Sequence, residues 1–124
     1  DNSNLMEGVR HALMMNRLIY GASAVTHLDA LRWATEGSAR CLGREKLGKI
    51  APGYQADLAM FTLDELRFSG AGDPLAALVL CGAHRADRVM IRGRWTVEDG
   101  MPVGIDVARL RHDHGAVAKL FAES

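Results

Sequence analysis

The first twenty residues have the hydrophobic pattern of an amphipathic helix. Apolar residues recur at intervals of four positions and therefore share one helical face. The members of this stripe are Leu5, Val9 and Leu13, with Met6 and Ala12 beside it. Asn4 precedes the stripe and Glu7 follows three positions later, a combination typical of a helix N-terminus. We predict a helix over about residues 4–20 that ends near Gly21.

A second amphipathic pattern follows after a short polar break. Thr26 and Asp29 form an N-capping pattern at its start, like that of Asn4 and Glu7. The apolar face consists of Leu28, Leu31, Ala34 and the methyl-bearing Thr35. The pattern predicts a helix to about residue 41, with Gly43 as its stop.

From Gly48 onward the pattern becomes typical of strands and turns. Pro52-Gly53 predicts a turn, and the mostly apolar residues 56–63 predict a strand. Residues 64–73 are polar and glycine-rich and predict a surface loop. The apolar residues 74–81 fit either a short helix opened by Pro74 or a buried strand, and periodicity does not separate the two.

The clearest strand signal lies further along the chain. Residues 88–92 alternate in polarity, Gly93-Arg94 can turn, and residues 95–98 return before Asp99-Gly100, which together predict a hairpin. The apolar positions of the last segment then predict a terminal helix that runs from an exposed to a buried environment. These positions, with one histidine among them, are Val107, Leu110, His114, Val117, Leu120 and Phe121.

Composition narrows the class of protein. The chain has 124 residues, 48% of them apolar, and its 15 basic and 15 acidic residues cancel, which argues against a nucleic-acid or membrane partner. The longest apolar run, residues 75–81, is far shorter than the roughly 20 residues that span a bilayer. Cys41 and Cys81 have no partner at metal or redox spacing and are expected to be buried free thiols, as in the cytoplasm.

Few residues suggest chemistry of their own. His112 and His114 resemble a metal-binding pair, but on a helix their side chains diverge by about 200°, so we interpret them as solvated. His27 and His84 lack ligands at suitable spacing and are interpreted as ordinary helix-start and surface residues. Asp57 follows the Pro-Gly turn and is predicted to accept backbone amide hydrogens there.

Two stretches, 34–43 and 47–58, carry a resemblance to a known family. Their order of helix end, glycine turn, Pro-Gly turn and strand resembles the segment after the catalytic barrel in metal-dependent amidohydrolases of the deaminase branch. Residues 73–81, 84–89 and 93–95 are most similar to 8-oxoguanine deaminases and their triazine-hydrolase relatives. The resemblance covers most of the chain.

The resemblance implies an α+β chain made of the last helices of a (β/α)8 barrel, part of a small β-sandwich and a C-terminal helix. The corresponding segments are residues 1–47, 48–104 and 105–124. It implies a C-terminal segment of an enzyme, whether natural, cropped or proteolytic, whose partners are the rest of the barrel and a small heterocycle. The compartment expected from the lack of a membrane-spanning run is the cytoplasm. Whether the enzyme forms a homo-oligomer is left open.

The resemblance also implies how the complete enzyme works. A divalent metal, expected to be zinc, would be held by residues upstream of this chain and would activate the water that displaces ammonia. No catalytic or metal-binding residue is expected in the chain, and only Asn2, Ser3 and Asn4 are placed near a substrate pocket. Helix capping is the alternative role for these three. There are two alternative functions: a triazine or imidazolone hydrolase, and a free-standing non-catalytic module. The second requires residues 4–41 to pack on the chain's own sheet.

Overall fold

The computed structural model describes residues 4–83 and 85–122. Its helices are α1 (Leu5–Tyr20), α2 (His27–Arg32), α3 (Ser38–Cys41), α4 (Pro74–Leu80) and α5 (Val107–Ala122). Its strands are β1 (Leu58–Met60), β2 (Arg88–Ile91), β3 (Arg94–Glu98) and β4 (Met101–Pro102). A π-helical turn over Trp33–Gly37 joins α2 to α3, and a 3-10 turn covers Leu66–Phe68.

The helix termini confirm the capping predictions. The Asn4 side chain accepts the amides of Met6 and Glu7, and α1 ends at Gly21. At the start of α2, Thr26 and Asp29 form a reciprocal capping box. After α3, Gly43 adopts a φ of 65° and its amide bonds the helical carbonyl of Arg40. These local signals define the helix ends because they satisfy the amides and carbonyls that a helix leaves unpaired.

A helical core forms where α1, α2 and α4 meet. Its buried members are Val9, Leu13, Ala30 and Val79. A second cluster lies between α4 and the chain on either side of it, with Phe68, Ala77 and Ala83 buried. Residues 74–80 are therefore helical, capped by Asp73 and opened by Pro74, which decides the alternative that periodicity left open.

The four strands form one antiparallel sheet in the order β1-β2-β3-β4. A hairpin is present, as predicted, with Ile91 opposite Arg94 across a two-residue turn. The turn residues are Arg92 and Gly93 rather than the predicted Gly93 and Arg94, because Arg94 is already the first paired residue of β3. Arg92 and Gly93 both have positive φ, as a type I′ turn requires. Asp99 and Gly100 repeat this geometry and lead into β4, a strand that the sequence analysis did not predict.

Several expectations about individual segments are corrected. The strand expected over 56–63 is limited to β1, because Phe61 and Leu63 leave the sheet to pack against the second core cluster. The segment expected to be a surface loop, 64–73, buries Phe68 to 5% exposure.

Two expectations of burial are also wrong. Cys41 and Cys81 are free, as expected, but exposed. Helix α5 has no buried residue along its described length, so its end does not enter a core.

Helices and strands make most of their contacts separately within the described residues. The helices pack mainly on one another, and the strands pair mainly with one another. The condition for a free-standing module, helices covering the chain's own sheet, is therefore not met in the described part of the chain. No described helix is long and apolar enough to cross a membrane.

Candidate functional site

The candidate pocket residues lie at the N-terminal end of α1. Asn4 is half-buried, and its Oδ1 lies 3.1 Å from the Met6 amide nitrogen and 3.4 Å from that of Glu7. Helix capping, the alternative role given to Asn4, is therefore confirmed. Asn2 and Ser3 lie outside the described residues.

His27 has a carboxylate neighbour that sequence spacing did not reveal. Its Nε2 lies 3.1 Å from Asp73 Oδ2, and its side chain is only 19% exposed. The Nε2 atom is inaccessible to solvent and makes no well-oriented hydrogen bond within the described residues. The pair connects the N-termini of α2 and α4, which are distant in sequence and adjacent in the fold.

Asp73 serves two helices at once. Its Oδ1 accepts the amides of Leu75 and Ala76, while Oδ2 faces His27. The amide of Ala76, followed by that of Leu75 and by His27, holds the pKa of Asp73 below its ordinary value. These contacts stabilise the charged carboxylate of Asp73, so Asp73 acts as a helix cap rather than as a general acid.

Asp57 bonds to a residue that is farther away in the sequence than predicted. Its Oδ1 accepts the amide of Arg92, 2.7 Å away in the β2–β3 turn, and Gln55 Nε2 donates to both of its carboxylate oxygens at 2.9 Å. The Arg92 amide, with Gln55, lowers the pKa of Asp57. The prediction of an amide-accepting carboxylate is confirmed, but the backbone donor, Arg92, belongs to the β-hairpin rather than to the Pro-Gly turn.

Asp87 is a second carboxylate that connects strands, a role that no sequence pattern indicated. Its carboxylate accepts the Thr62 amide, its own amide donates to Met60 at 2.8 Å, and its carbonyl accepts from Gly100 at 2.8 Å. The Thr62 amide holds the pKa of Asp87 below its ordinary value. Asp87 thus joins the end of β1 to both ends of the β2–β3 hairpin.

The remaining histidines do not assemble a site. His112 and His114 lie on α5 and are exposed, as expected for solvated residues. His84 lies outside the described residues. Throughout residues 4–83 and 85–122, no three histidine, cysteine, aspartate or glutamate side chains come together as a metal-ligand set. The described residues therefore do not fit the divalent metal that the family resemblance implies.

Two open grooves mark the surface near the helix end. One, of about 520 Å³, follows the loop from Gly43 to Gln55, and the other, of about 630 Å³, lies beside Trp33 and Leu42. The residues lining the second groove include no histidine or carboxylate. The first groove is lined by both acidic and basic side chains, Glu45 and Lys46 among them, but none of its lining residues is a histidine or cysteine.

Comparison with known proteins now identifies the family. The profile described as "Amidohydrolase family" matches residues 1–96, and the chain belongs to this family. It is 58% identical over 118 residues to the 8-oxoguanine deaminase of Pseudomonas aeruginosa, an alignment that covers 95% of this chain and 26% of that enzyme.

Solved structures give the same result for the fold. An adenosine deaminase from Xanthomonas campestris with bound zinc matches with a TM-score of 0.90 at 25% identity, over 97% of this chain and 28% of that one. The atrazine chlorohydrolase of Arthrobacter aurescens, solved with zinc, matches with a TM-score of 0.82 at 33% identity, over 90% and 25%. The chain spans about a quarter of the length of these relatives.

Proposed function

We propose that the complete polypeptide containing this chain is a hydrolytic deaminase of purine-like heterocycles, with 8-oxoguanine as the leading substrate. The observation that carries the proposal is the 58% identity to an 8-oxoguanine deaminase along almost the whole chain. In the reaction, water adds to the ring carbon that bears the amino group, the carbon-nitrogen bond breaks and ammonia leaves. The carbon becomes a carbonyl.

The chain would contribute structure rather than reacting groups to this enzyme. Its described carboxylates with lowered pKa values accept backbone amides or a capping hydroxyl, which engages them in holding turns and helix ends. We assign residues 1–47 to the last barrel helices, 48–104 to a β-sandwich portion and 105–124 to a terminal helix. The exposed apolar side chains of α1, including Leu18 at 79% and Ile19 at 62%, support a barrel partner for that helix.

Asn2, Ser3 and Asn4 keep their proposed place near the substrate pocket, with Asn4 acting through the first turn of α1. The divalent metal, zinc in two solved relatives, would be held by residues beyond those described here. The two free cysteines support a cytoplasmic enzyme, since thiols stay reduced there.

Ammonia release by the metal-loaded complete polypeptide tests this proposal. We expect the highest kcat/KM on 8-oxoguanine, compared with guanine, cytosine and aminotriazines. Faster turnover of a triazine or of guanine would remove the substrate assignment and leave the deaminase class. If no carbon-nitrogen bond is cleaved in any substrate, both the substrate assignment and the deaminase class are wrong.

A triazine hydrolase is the second candidate. It is supported by the 0.82 TM-score and 33% identity to the atrazine chlorohydrolase, over 90% of the chain. The lower identity ranks it below 8-oxoguanine deamination, because members of one fold differ widely in substrate. Chloride release from a chlorotriazine in the same assay series distinguishes it.

A further inference from the structure

The helix from His27 to Cys41 contains an extra residue in its π-helical turn. A straight α-helix turns about 100° per residue, so Ala30 and Ala39 would lie about 180° apart. A one-residue bulge reduces this separation to about 80°. Ala30 and Ala39 are in fact both buried, at 1% and 3% exposure. The bulge therefore decides which residues of α3 face inward.

The alternative register can be stated residue by residue. Without the bulge, Ser38 would occupy the direction that Ala39 now has, and Ala39 would rotate toward solvent. Ser38 is exposed in the structure. A buried serine hydroxyl gives up hydration that an alanine methyl group does not need, so the bulged register, which keeps the apolar residue inside, is the more favourable one.

Two side chains satisfy carbonyls beside the bulge. The Thr35 hydroxyl donates to the Leu31 carbonyl at 2.8 Å, and the Ser38 hydroxyl donates to the Trp33 carbonyl at 3.3 Å. Both bonds span the region where the regular helical ladder is interrupted. They add hydrogen bonds to the bulged segment that do not involve Gly48.

The loop that follows α3 returns to the bulge at Gly48. A Cβ placed on Gly48 would lie 2.7 Å from the Thr35 carbonyl oxygen, 2.8 Å from its carbon and 2.9 Å from Glu36 Cα. Real Cβ atoms essentially never approach backbone this closely. Gly48 also has a φ of 92°, a conformation that side chains disfavour. Its backbone therefore lies directly against the bulged turn.

We propose that Gly48 is a register stop: its backbone contact holds the extra residue at Trp33–Gly37 and thereby keeps Ala39, rather than Ser38, on the buried side. The loop can act as a stop because it is closed, with the Gln55 amide donating to the Lys46 carbonyl at 2.9 Å. Gln55 in turn holds Asp57, which accepts the Arg92 amide. The helix register is thus connected to the hairpin through this loop. The inference does not depend on the substrate of the enzyme.

Thiol labelling tests the register directly in the complete polypeptide. A39C and S38C are placed separately in a C41S/C81S background, and maleimide labelling is followed at the peptide by mass spectrometry. We expect S38C to react at least about tenfold faster than A39C, because only Ser38 is exposed. In G48A, this order should be lost or reversed.

The matched control is G53A. Gly53 has a φ of 80° but nothing within 4 Å of its hypothetical Cβ, so the variant carries similar backbone strain without the contact. We expect G53A to keep S38C faster than A39C. Unchanged order in folded G48A, or loss of order in G53A as well, would overturn the proposal.

Hydrogen exchange supplies the second measurement if G48A does not fold. In the unsubstituted polypeptide, the amides of residues 36–40 and 48–49 should open with equal free energies, because stop and bulge form one unit. Exchange of the loop amides through an independent opening that leaves 36–40 protected would contradict the proposal.

Discussion

The helices and the sheet of this chain differ in where their apolar side chains lie. Helices α1, α2 and α4 share a core whose central side chains, Leu13 and Val79, are completely buried. The strands contain no fully buried residue. The sheet is instead held by its ladder, two type I′ turns and the carboxylates of Asp57 and Asp87.

This difference shows two ways of building a stable segment. The helical part gains stability from apolar area removed from water, which is insensitive to direction. The sheet gains its order from hydrogen bonds of defined geometry, which yield little net stability each but specify the register. We therefore expect the two parts to respond differently to substitution and to pH.

The largest expected effect is in the helical core. L13A should lower the free energy of unfolding of the complete polypeptide by about 3 kcal/mol, because it removes a fully buried side chain and leaves a cavity. V97A, at a half-buried position of β3, should cost about 1 kcal/mol. Urea denaturation of both variants measures the difference. Equal losses would break the comparison, since they would show that the sheet has a core of its own in the complete protein.

The next effect concerns the exposed apolar residues at the C-terminal end of α1. Leu18, Ile19 and Tyr20 are each at least 62% exposed. We expect residues 1–124, prepared alone, to self-associate and to bind an apolar dye, because such surface demands a partner. L18E should reduce dye fluorescence several-fold, whereas H11E, which adds the same charge at an exposed position of α1, should not.

Light scattering on the same preparation sharpens this prediction. A monodisperse monomer of residues 1–124 that binds no dye would show that these exposed apolar residues need no partner. The barrel assignment of α1 would then lose its structural support.

A smaller effect is expected from the carboxylate anchor of the sheet. The pKa of Asp57 is lowered by the Arg92 amide and Gln55, so its contribution to stability is complete above the unfolded pKa, near 3.8, and is lost as pH falls through the lower folded value. D57N should lower the melting temperature by a few degrees at pH 7. The difference from the unsubstituted protein should shrink below about pH 4.

The control for this prediction is D64N, which changes an exposed carboxylate of the loop after β1. Its melting temperature should stay within experimental error of the unsubstituted protein at pH 7. A D57N difference that stays constant from pH 7 to pH 3 would show that shape, rather than charge, is what Asp57 contributes.

The smallest effect is expected on α5. H112A/H114A should leave the metal content and activity of the complete polypeptide unchanged, because both side chains are exposed on a helix that joins neither core cluster. Metal analysis after dialysis measures this. Loss of stoichiometric metal in the double variant would assign these histidines a role that the described geometry does not provide.

Local signals predicted much of the secondary structure. Asn4, Thr26 and Gly43 marked helix ends because capping depends on bonds between residues a few positions apart. The hairpin was predicted for the same reason. The fourth strand was missed although Asp99-Gly100 carries the same turn signal as other type I′ hairpins, and this dipeptide could have indicated it.

The candidate site was less predictable. Asp57 was correctly predicted to accept an amide, but the donor, Arg92, comes from a different part of the chain. The contact between His27 and Asp73 has no signature in spacing, because two helix starts meet only through the packing of α2 on α4. Asn2 and Ser3 stay predictions.

By itself, the sequence determined the family, the helix caps, the presence of the hairpin and the neutral charge balance, since each depends on composition or on neighbours in the chain. The hairpin turn lies at Arg92-Gly93, one residue before its predicted place. Tertiary structure decided that residues 74–80 are helical, that the strand after Asp57 stops at Met60, and that both cysteines are exposed. It also decided the place of Gly48 against Thr35. The physical reason is that burial and close backbone approach depend on which distant segments meet, and one-dimensional patterns carry that information only weakly.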